Sequence, residues 1–345
     1  MQGPRALWGL VSFLLIFGDV PVLRSLTSAL ALFAATTVMA DPLPSWSDTE
    51  VKSGIVAFVE TVTDPASDDY VTPSDRIAVF DNDGTLWGEQ PVYFQFIFAI
   101  DRLKTLAEAD PSVLSSDVLT AAAAGDMETV LAGGHDALFE ILNATHSGMT
   151  VDAFQQEVAQ WLEDTKHPDT GLPYDEMTYQ PMVELLRYLR DEGFKTYIVS
   201  GGGIHFMRVF AQEAYGIPPE QVLGTYTNTE YAMVDGEPVI SKVPGIAFVD
   251  DKEGKPINIE RTIGRRPIFA GGNSDGDFAM LEWTTAGKGP RFGLLVHHTD
   301  GDREYAYDRE SPIGRLVDGL DKGPGLGWTI VDMKQDWQRI YTGQN

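Results

Sequence analysis

The sequence predicts an α/β fold, a Rossmann-like parallel sheet flanked by helices, with a helical lobe inserted after the first strand. Three observations predict it. Over the second half of the chain short apolar runs alternate with helical patterns: "KTYIVS" then "IHFMRVFAQEAYG", "RPIFAGG" then "DGDFAMLEW", and finally "RFGLLVHH". Strands alternating with helices read as a parallel sheet wrapped by helices. An earlier apolar run, Arg76 to Phe80, is separated from these by a passage from Pro91 to about Arg190 whose patterns are helical throughout. Polar clusters fall at the ends of the apolar runs, where open parallel sheets bind ligands.

In chain order, Arg24 precedes a short apolar, small-residue run that ends Val38-Met39-Ala40. Small residues at the −3 and −1 positions predict a signal peptide over 1–40, cleaved after Ala40. An upstream run, "ALWGLVSFLLIF", is broken by Asp19 and Pro21. Neither run alone reaches the roughly 18 residues of a membrane span. A periplasmic or secreted protein without stable membrane association after cleavage is therefore expected, an uncleaved anchor being the alternative. An amphipathic stretch follows from Thr49 to Val62, then a turn-rich passage, "TDPASDDYVTPSD", then the strand Arg76 to Phe80. Residues 41–88 and 190–345 are read as the sheet-bearing core and 89–189 as the inserted helical lobe.

At 345 residues, with 43% hydrophobic and 22% charged residues, the chain has ample material for a buried core. The net charge of −26 argues against nucleic acid or anionic lipid as a partner, since both require a basic footprint. It also repels phosphate-bearing molecules at long range, so an anion site must rely on local cations or a metal. With no cysteine there is no disulfide framework, thiolate nucleophile or Cys-based zinc site. Nothing in the composition speaks to oligomeric state.

Four polar clusters are chemically complementary. "VFDNDGT" supplies Asp81, Asp83 and Thr85; "YIVSGGG" supplies Ser200 and glycines whose N–H groups begin a helix, an arrangement suited to phosphate. "DDKEGKPINIE" supplies Lys255, with Lys252 as its competitor, and "FAGGNSDGDFAML" supplies Asn273, Asp275 and Asp277. Two like charges as close as Asp81 and Asp83 are unfavourable unless something positive sits beside them. Acid clusters, a hydroxyl on a glycine turn and an ammonium make a metal-plus-phosphate site.

In this order, Asp-x-Asp-Gly-Thr, Ser-Gly-Gly, Lys and Gly-Asn-Ser-Asp-Gly-Asp, the clusters resemble the four motifs of the haloacid dehalogenase superfamily, specifically its phosphoserine-phosphatase-like phosphatases. The resemblance covers about Arg76 to Val296 apart from the insertion, which is similar to that family's small helical cap. It implies Mg²⁺-dependent hydrolysis of small phosphomonoesters, with Asp81 as nucleophile and Asp83 as acid and base. It further implies that Ser200, Thr85 and the Gly201 N–H bind phosphoryl oxygens, that Lys255 neutralises charge, and that Asp81, Asp83, Asn273 and Asp277 hold the metal. One departure stands out: many relatives carry an aspartate where this chain has Asn273. An amide oxygen can still ligate Mg²⁺ but brings no charge, and Asp275 could compensate by turning inward. A phosphotransferase or phosphomutase using the same nucleophile, or a catalytically silent binding module, are the alternatives.

Other readings stay open beside these. A calcium loop is disfavoured because the twelfth positions from Asp81 and Asn273 are Val92 and Thr284 rather than Glu. His297 and His298 are adjacent on a strand, so at most one faces the site. His205, at the start of a helix, is a candidate for substrate contact or for packing against the cap. Trp87, Tyr93, Phe94, Phe96 and Phe98 form either a hydrophobic hinge or, with Glu89, a pocket for a cationic group such as that of phosphocholine.

Overall fold

The residues Ile77–Phe80 (β1) are all buried, as expected of a strand covered on both faces by helices. The computed structural model describes residues 40–343. Its other strands are Met149–Thr150 (β2), Lys195–Gly203 (β3), Val222–Val234 (β4), Glu237–Phe248 (β5), Phe269–Gly272 (β6), Phe292–His297 (β7) and Thr329–Asp332 (β8). They form one sheet in the order β2-β5-β4-β3-β1-β6-β7-β8. From β4 to β8 the neighbours run parallel, whereas β4 with β5 and β5 with β2 are antiparallel. The chain leaves β1 for β3 on one side and later returns to β6 on the other. This reversal opens a crevice at the carboxyl end of β1, the usual ligand position in such sheets.

Alternation along β1 divides the core. Ala78 and Phe80 face one layer, shared with Ile55 and Val59 of the helix Glu50–Thr63 (α1). Ile77 and Val79 face the other. The inserted helices are Phe94–Ala109 (α2), Asp117–Ala124 (α3), Met127–Ala132 (α4), Gly134–His146 (α5) and Val151–Asp164 (α6). Phe96, Ile100, Leu103, Leu119, Ala122 and Ile141 give α2, α3 and α5 a small core of their own. The next helix, Gln180–Asp191 (α7), is expected from sequence to belong mostly to the cap. It packs instead on the sheet, where Leu185, Leu186 and Leu189 join Phe194 and Ile198 in the first layer.

The remaining helices are Ile204–Tyr215 (α8), Gly254–Ile263 (α9), Phe278–Thr285 (α10), Asp318–Lys322 (α11) and Met333–Asp336 (α12). α8 buries Phe206, Met207 and Phe210 in the first layer, while Ile259 of α9 and Leu281 of α10 cover the second. The β4–β5 hairpin is an element the simple alternation of strands and helices does not anticipate. After β7 the chain adds β8 to the sheet edge and packs Trp337 edge-on against Trp46 at 5.9 Å. Among the described residues no helix is long and apolar enough to cross a membrane. The leader expected over 1–40 falls, but for its last residue, outside the described residues.

Candidate active site

Asp81 leaves β1 with its N–H still donating to the Gly271 carbonyl at 3.0 Å, so the nucleophile candidate is fixed by the sheet ladder. The chain then winds tightly: the Asn82 carbonyl accepts from the N–H groups of Thr85 and Leu86 at 3.1 and 2.8 Å. Gly84 has φ +71, and a Cβ there would lie 2.0 Å from Asn273 Nδ2 and 2.4 Å from Glu89 Oε1. No side chain fits that approach.

Lys255, near the start of α9, is 1% exposed and brings its ammonium into the crevice. Nζ lies 2.8 Å from Asp81 Oδ1 and donates to Asp277 Oδ1 at 2.6 Å and the Val199 carbonyl at 3.0 Å. Burial alone would lower its pKa, but the charges of Asp277 and Asp81 carry it well above the usual lysine value. The ammonium is permanent. Lys252 is exposed and takes no part. Burial and the neighbouring Asp277 charge push the Asp81 carboxyl up against the pull of Lys255. Burial also raises Asp83, opposed by the Trp87 indole N–H, which donates to its Oδ1 at 2.8 Å. A raised carboxyl suits a group that must hold and release a proton.

Ser200 stands where the β3–β4 ladder slips register, with Gly201 and Gly202 bulging from the strand. Ser200 Oγ accepts from the Gly202 N–H at 3.1 Å. The Gly203 N–H donates to Gln95 Oε1 of α2 at 2.7 Å, so the cap occupies one donor expected to be free for phosphate. Asp81, Asp83, Ser200, Gly201 and Lys255 all line one cavity of about 220 Å³.

Three of the expected residues have protein partners in this geometry. Thr85, expected to bind phosphoryl oxygens, is fully buried, and its hydroxyl donates to Asn273 Oδ1 at 3.0 Å, which orients that amide. Asp277, expected as a metal ligand, commits one oxygen to Lys255 and the other to the N–H groups of Asn273 and Ser274 at 3.0 and 3.1 Å. It positions the lysine and the turn. Asp275 does not turn inward, because its carboxylate accepts from the N–H groups of Val317 and Gly319.

Asn273 instead finds Glu89. Its Nδ2 donates to Glu89 Oε1 at 2.7 Å, and the Tyr307 hydroxyl donates to the same oxygen at 2.7 Å. Burial holds the Glu89 carboxyl well above its ordinary value, opposed by the Tyr307 hydrogen bond and reinforced by the charges of Asp83 and Asp81. His298 is buried, with Nε2 2.7 Å from the Gly84 carbonyl and Nδ1 3.2 Å from Glu304, which also accepts from the Tyr179 hydroxyl at 3.0 Å. His298 thus braces the turn through Gly84 from behind, and His297 pairs with Asp308. Neither lines the cavity. Trp87, Phe94 and Phe98 are core, with Trp87 stacked on Phe210 at 4.4 Å, whereas Tyr93 and Phe96 of the same group line the cavity.

The residues suit a hard divalent cation. Asp81, the Asp83 carbonyl and Asn273 Oδ1 are oxygen donors of the kind Mg²⁺ takes. Asp81, Asp83 and Glu89 have raised pKa values near the ammonium of Lys255. Among the described residues no three His, Cys, Asp or Glu side chains form a ready-made cage, so the donor set is mixed.

The fold and site together define an α/β protein with strand-end carboxylates gathered beside the buried ammonium of Lys255. The chain belongs to the haloacid dehalogenase-like hydrolase family, whose model matches residues 78–282. Among solved structures it is similar to a conserved protein of unknown function from Anaerococcus prevotii DSM 20548, at 17% identity over 76% of this chain and 89% of that one, with a TM-score of 0.51. It is also similar to a phosphoserine phosphohydrolase-like protein from Francisella tularensis subsp. tularensis SCHU S4, at 16% identity over 73% and 99% of the two chains, TM-score 0.37. A third is a probable phosphoserine phosphatase from Vibrio cholerae, at 17% identity over 67% and 58%, TM-score 0.35. No curated protein matches the chain.

Proposed function

We propose that the protein hydrolyses small phosphomonoesters through an aspartyl phosphate on Asp81. The observation that carries this reading is the Asp81–Lys255 ion pair at the end of β1, opening on the same cavity as Asp83 and Ser200. A carboxylate oxygen of Asp81 attacks phosphorus as the ester P–O bond breaks, and Asp83 delivers its proton to the departing oxygen. Asp83 then takes a proton from the water that attacks the acyl phosphate, freeing inorganic phosphate and restoring Asp81. Lys255 and the Ser200 hydroxyl hold the phosphoryl oxygens, fixed before reaction so that little reorganisation is needed. Asp81, the Asp83 carbonyl and Asn273 would hold Mg²⁺, whose bound charge supplies neutralisation of the phosphoryl oxygens. Covalent transfer divides one of the slowest uncatalysed hydrolyses into two easier steps.

The test is phosphate release from a panel of small phosphomonoesters with Mg²⁺ or EDTA. Turnover is expected with Mg²⁺ and not with EDTA, and Asp81→Asn should remove it by several orders of magnitude while the circular dichroism spectrum stays native. Substantial turnover by Asp81→Asn would discard Asp81 as the nucleophile.

A further inference from the structure

Lys52, Lys242 and Lys255 are the buried lysines among the described residues. Lys52 pairs with Asp41 and Asp48, and Lys255 with Asp81 and Asp277. Lys242 is 3% exposed and forms no salt bridge with a described carboxylate, its polar partners being a ring nitrogen and a hydroxyl. Its ammonium is 3.1 Å from His205 Nδ1 and 2.9 Å from Thr227 Oγ1, and it stands 4.6 Å above the Phe154 ring. Burial, with the nearby charges of Lys242 and Arg208, lowers His205 to about 4, so the imidazole is neutral and accepts from Lys242. Burial lowers Lys242 itself to about 8, which leaves it mostly protonated at pH 7. A buried charge without a counter-ion is costly, so an anion entering beside Lys242 would relieve that cost.

Lys242 lines the same cavity as Asp81 and Lys255, with Phe96, Leu142, Phe154 and Phe206 among the cavity's apolar walls. We propose that Lys242, held by His205 and Thr227, is an anion subsite that reads a second acidic group, a carboxylate, on a short phosphomonoester whose carbon body lies against those walls. Charge selects the carboxylate over a second phosphate. One ammonium balances one negative charge, and a dianion would leave an excess beside Asp81, Asp83 and Glu89. Glu89, considered from sequence as the partner of a cationic substrate group, is committed to Tyr307 and Asn273.

The inference rests on the phosphatase reading for its chemistry, but binding tests it separately. By calorimetry with Mg²⁺, 3-phosphonopropionate is expected to bind wild-type protein about ten- to a hundredfold more tightly than propylphosphonate, the range for a charged hydrogen-bonded pair. The bisphosphonate of the same length should bind less well than the carboxylate. Lys242→Met should erase the preference and leave propylphosphonate affinity within about twofold. If that variant also loses propylphosphonate, Lys242→Gln, which keeps donors toward His205 and Thr227 without charge, supplies the comparison. Equal binding of the two monophosphonates by wild type, a preference that survives loss of the Lys242 charge, or binding of neither overturns the subsite, and a bisphosphonate preference overturns its carboxylate assignment. Turnover of propyl phosphate and 3-phosphooxypropanoate separates the two ideas. Selective binding without hydrolysis sinks the phosphatase reading alone, and hydrolysis without selectivity sinks the subsite alone.

Discussion

Glu89 is a buried carboxyl beside the Asp81–Asp83 pair. It is 2% exposed, faces the charges of Asp83 and Asp81, and receives two donors on one oxygen. With its folded pKa held above the ordinary carboxyl value, the folded state keeps a proton that the unfolded chain loses first. The stability this contributes is present below the unfolded pKa and is lost as pH rises through the folded one. Glu89→Gln keeps an oxygen to accept from Tyr307 and Asn273 but cannot titrate. Urea unfolding in EDTA should show stability falling less steeply with pH in the variant above about pH 4.5, by up to about 1.4 kcal/mol per pH unit. Superimposable slopes would mean that Glu89 does not titrate on folding. At this scale Asp81, Asp83, Ser200 and Lys255 are legible in sequence, because each lies at a strand end or helix start that topology carries to one crevice. The roles of Thr85 and Asp277 are not legible. Each depends on which polar atom reaches it first, and Thr85 meets Asn273 across a separation of 188 residues. Tyr307 reaches Glu89 across 218.

The elements differ in how they announce themselves. β1, β6 and β7 carry short apolar runs because helices cover both faces, so composition alone marks them. β4 starts buried and ends exposed, since only its first residues lie in the parallel sheet while the rest leaves it as a hairpin. That change of environment within one strand hides it from a search for uniform runs. The readable signal is Asp235-Gly236, with φ 52 and 88, the dipeptide that two-residue hairpin turns favour. The hairpin carries Thr227 and Lys242 to the cavity, and its β5 pairs with β2 beside the cap. Gly236→Val places a β-branched residue where left-handed backbone is required, at a cost of about 1–2 kcal/mol. Amide exchange over 226–248 should quicken and KM for a phosphoester rise severalfold, while the urea midpoint of the parallel sheet barely moves. Unchanged exchange in the hairpin would show that the turn does not hold it.

For the whole molecule the governing quantity is a net charge of −26, from 51 acidic against 25 basic residues. A phosphomonoester approaching this surface is repelled until it passes within reach of Lys255 and, in the subsite proposed above, Lys242. The two effects act over different lengths. The surface field extends roughly a Debye length, about 30 Å at 0.01 M salt and 8 Å at 0.15 M, whereas the lysines act at hydrogen-bond distance and are buried from the screening ions. Salt should therefore remove the repulsion before it weakens the site. Raising monovalent salt from 0.01 to 0.15 M at fixed Mg²⁺ should increase kcat/KM by a few-fold and leave kcat nearly constant, because encounter is assisted while the bound geometry is untouched. Self-repulsion across the folded surface falls in the same range, so the urea midpoint should rise alongside. A flat or falling kcat/KM, with the midpoint still rising, would show that the field at the cavity mouth is not negative and that the buried lysines dominate approach as well as binding.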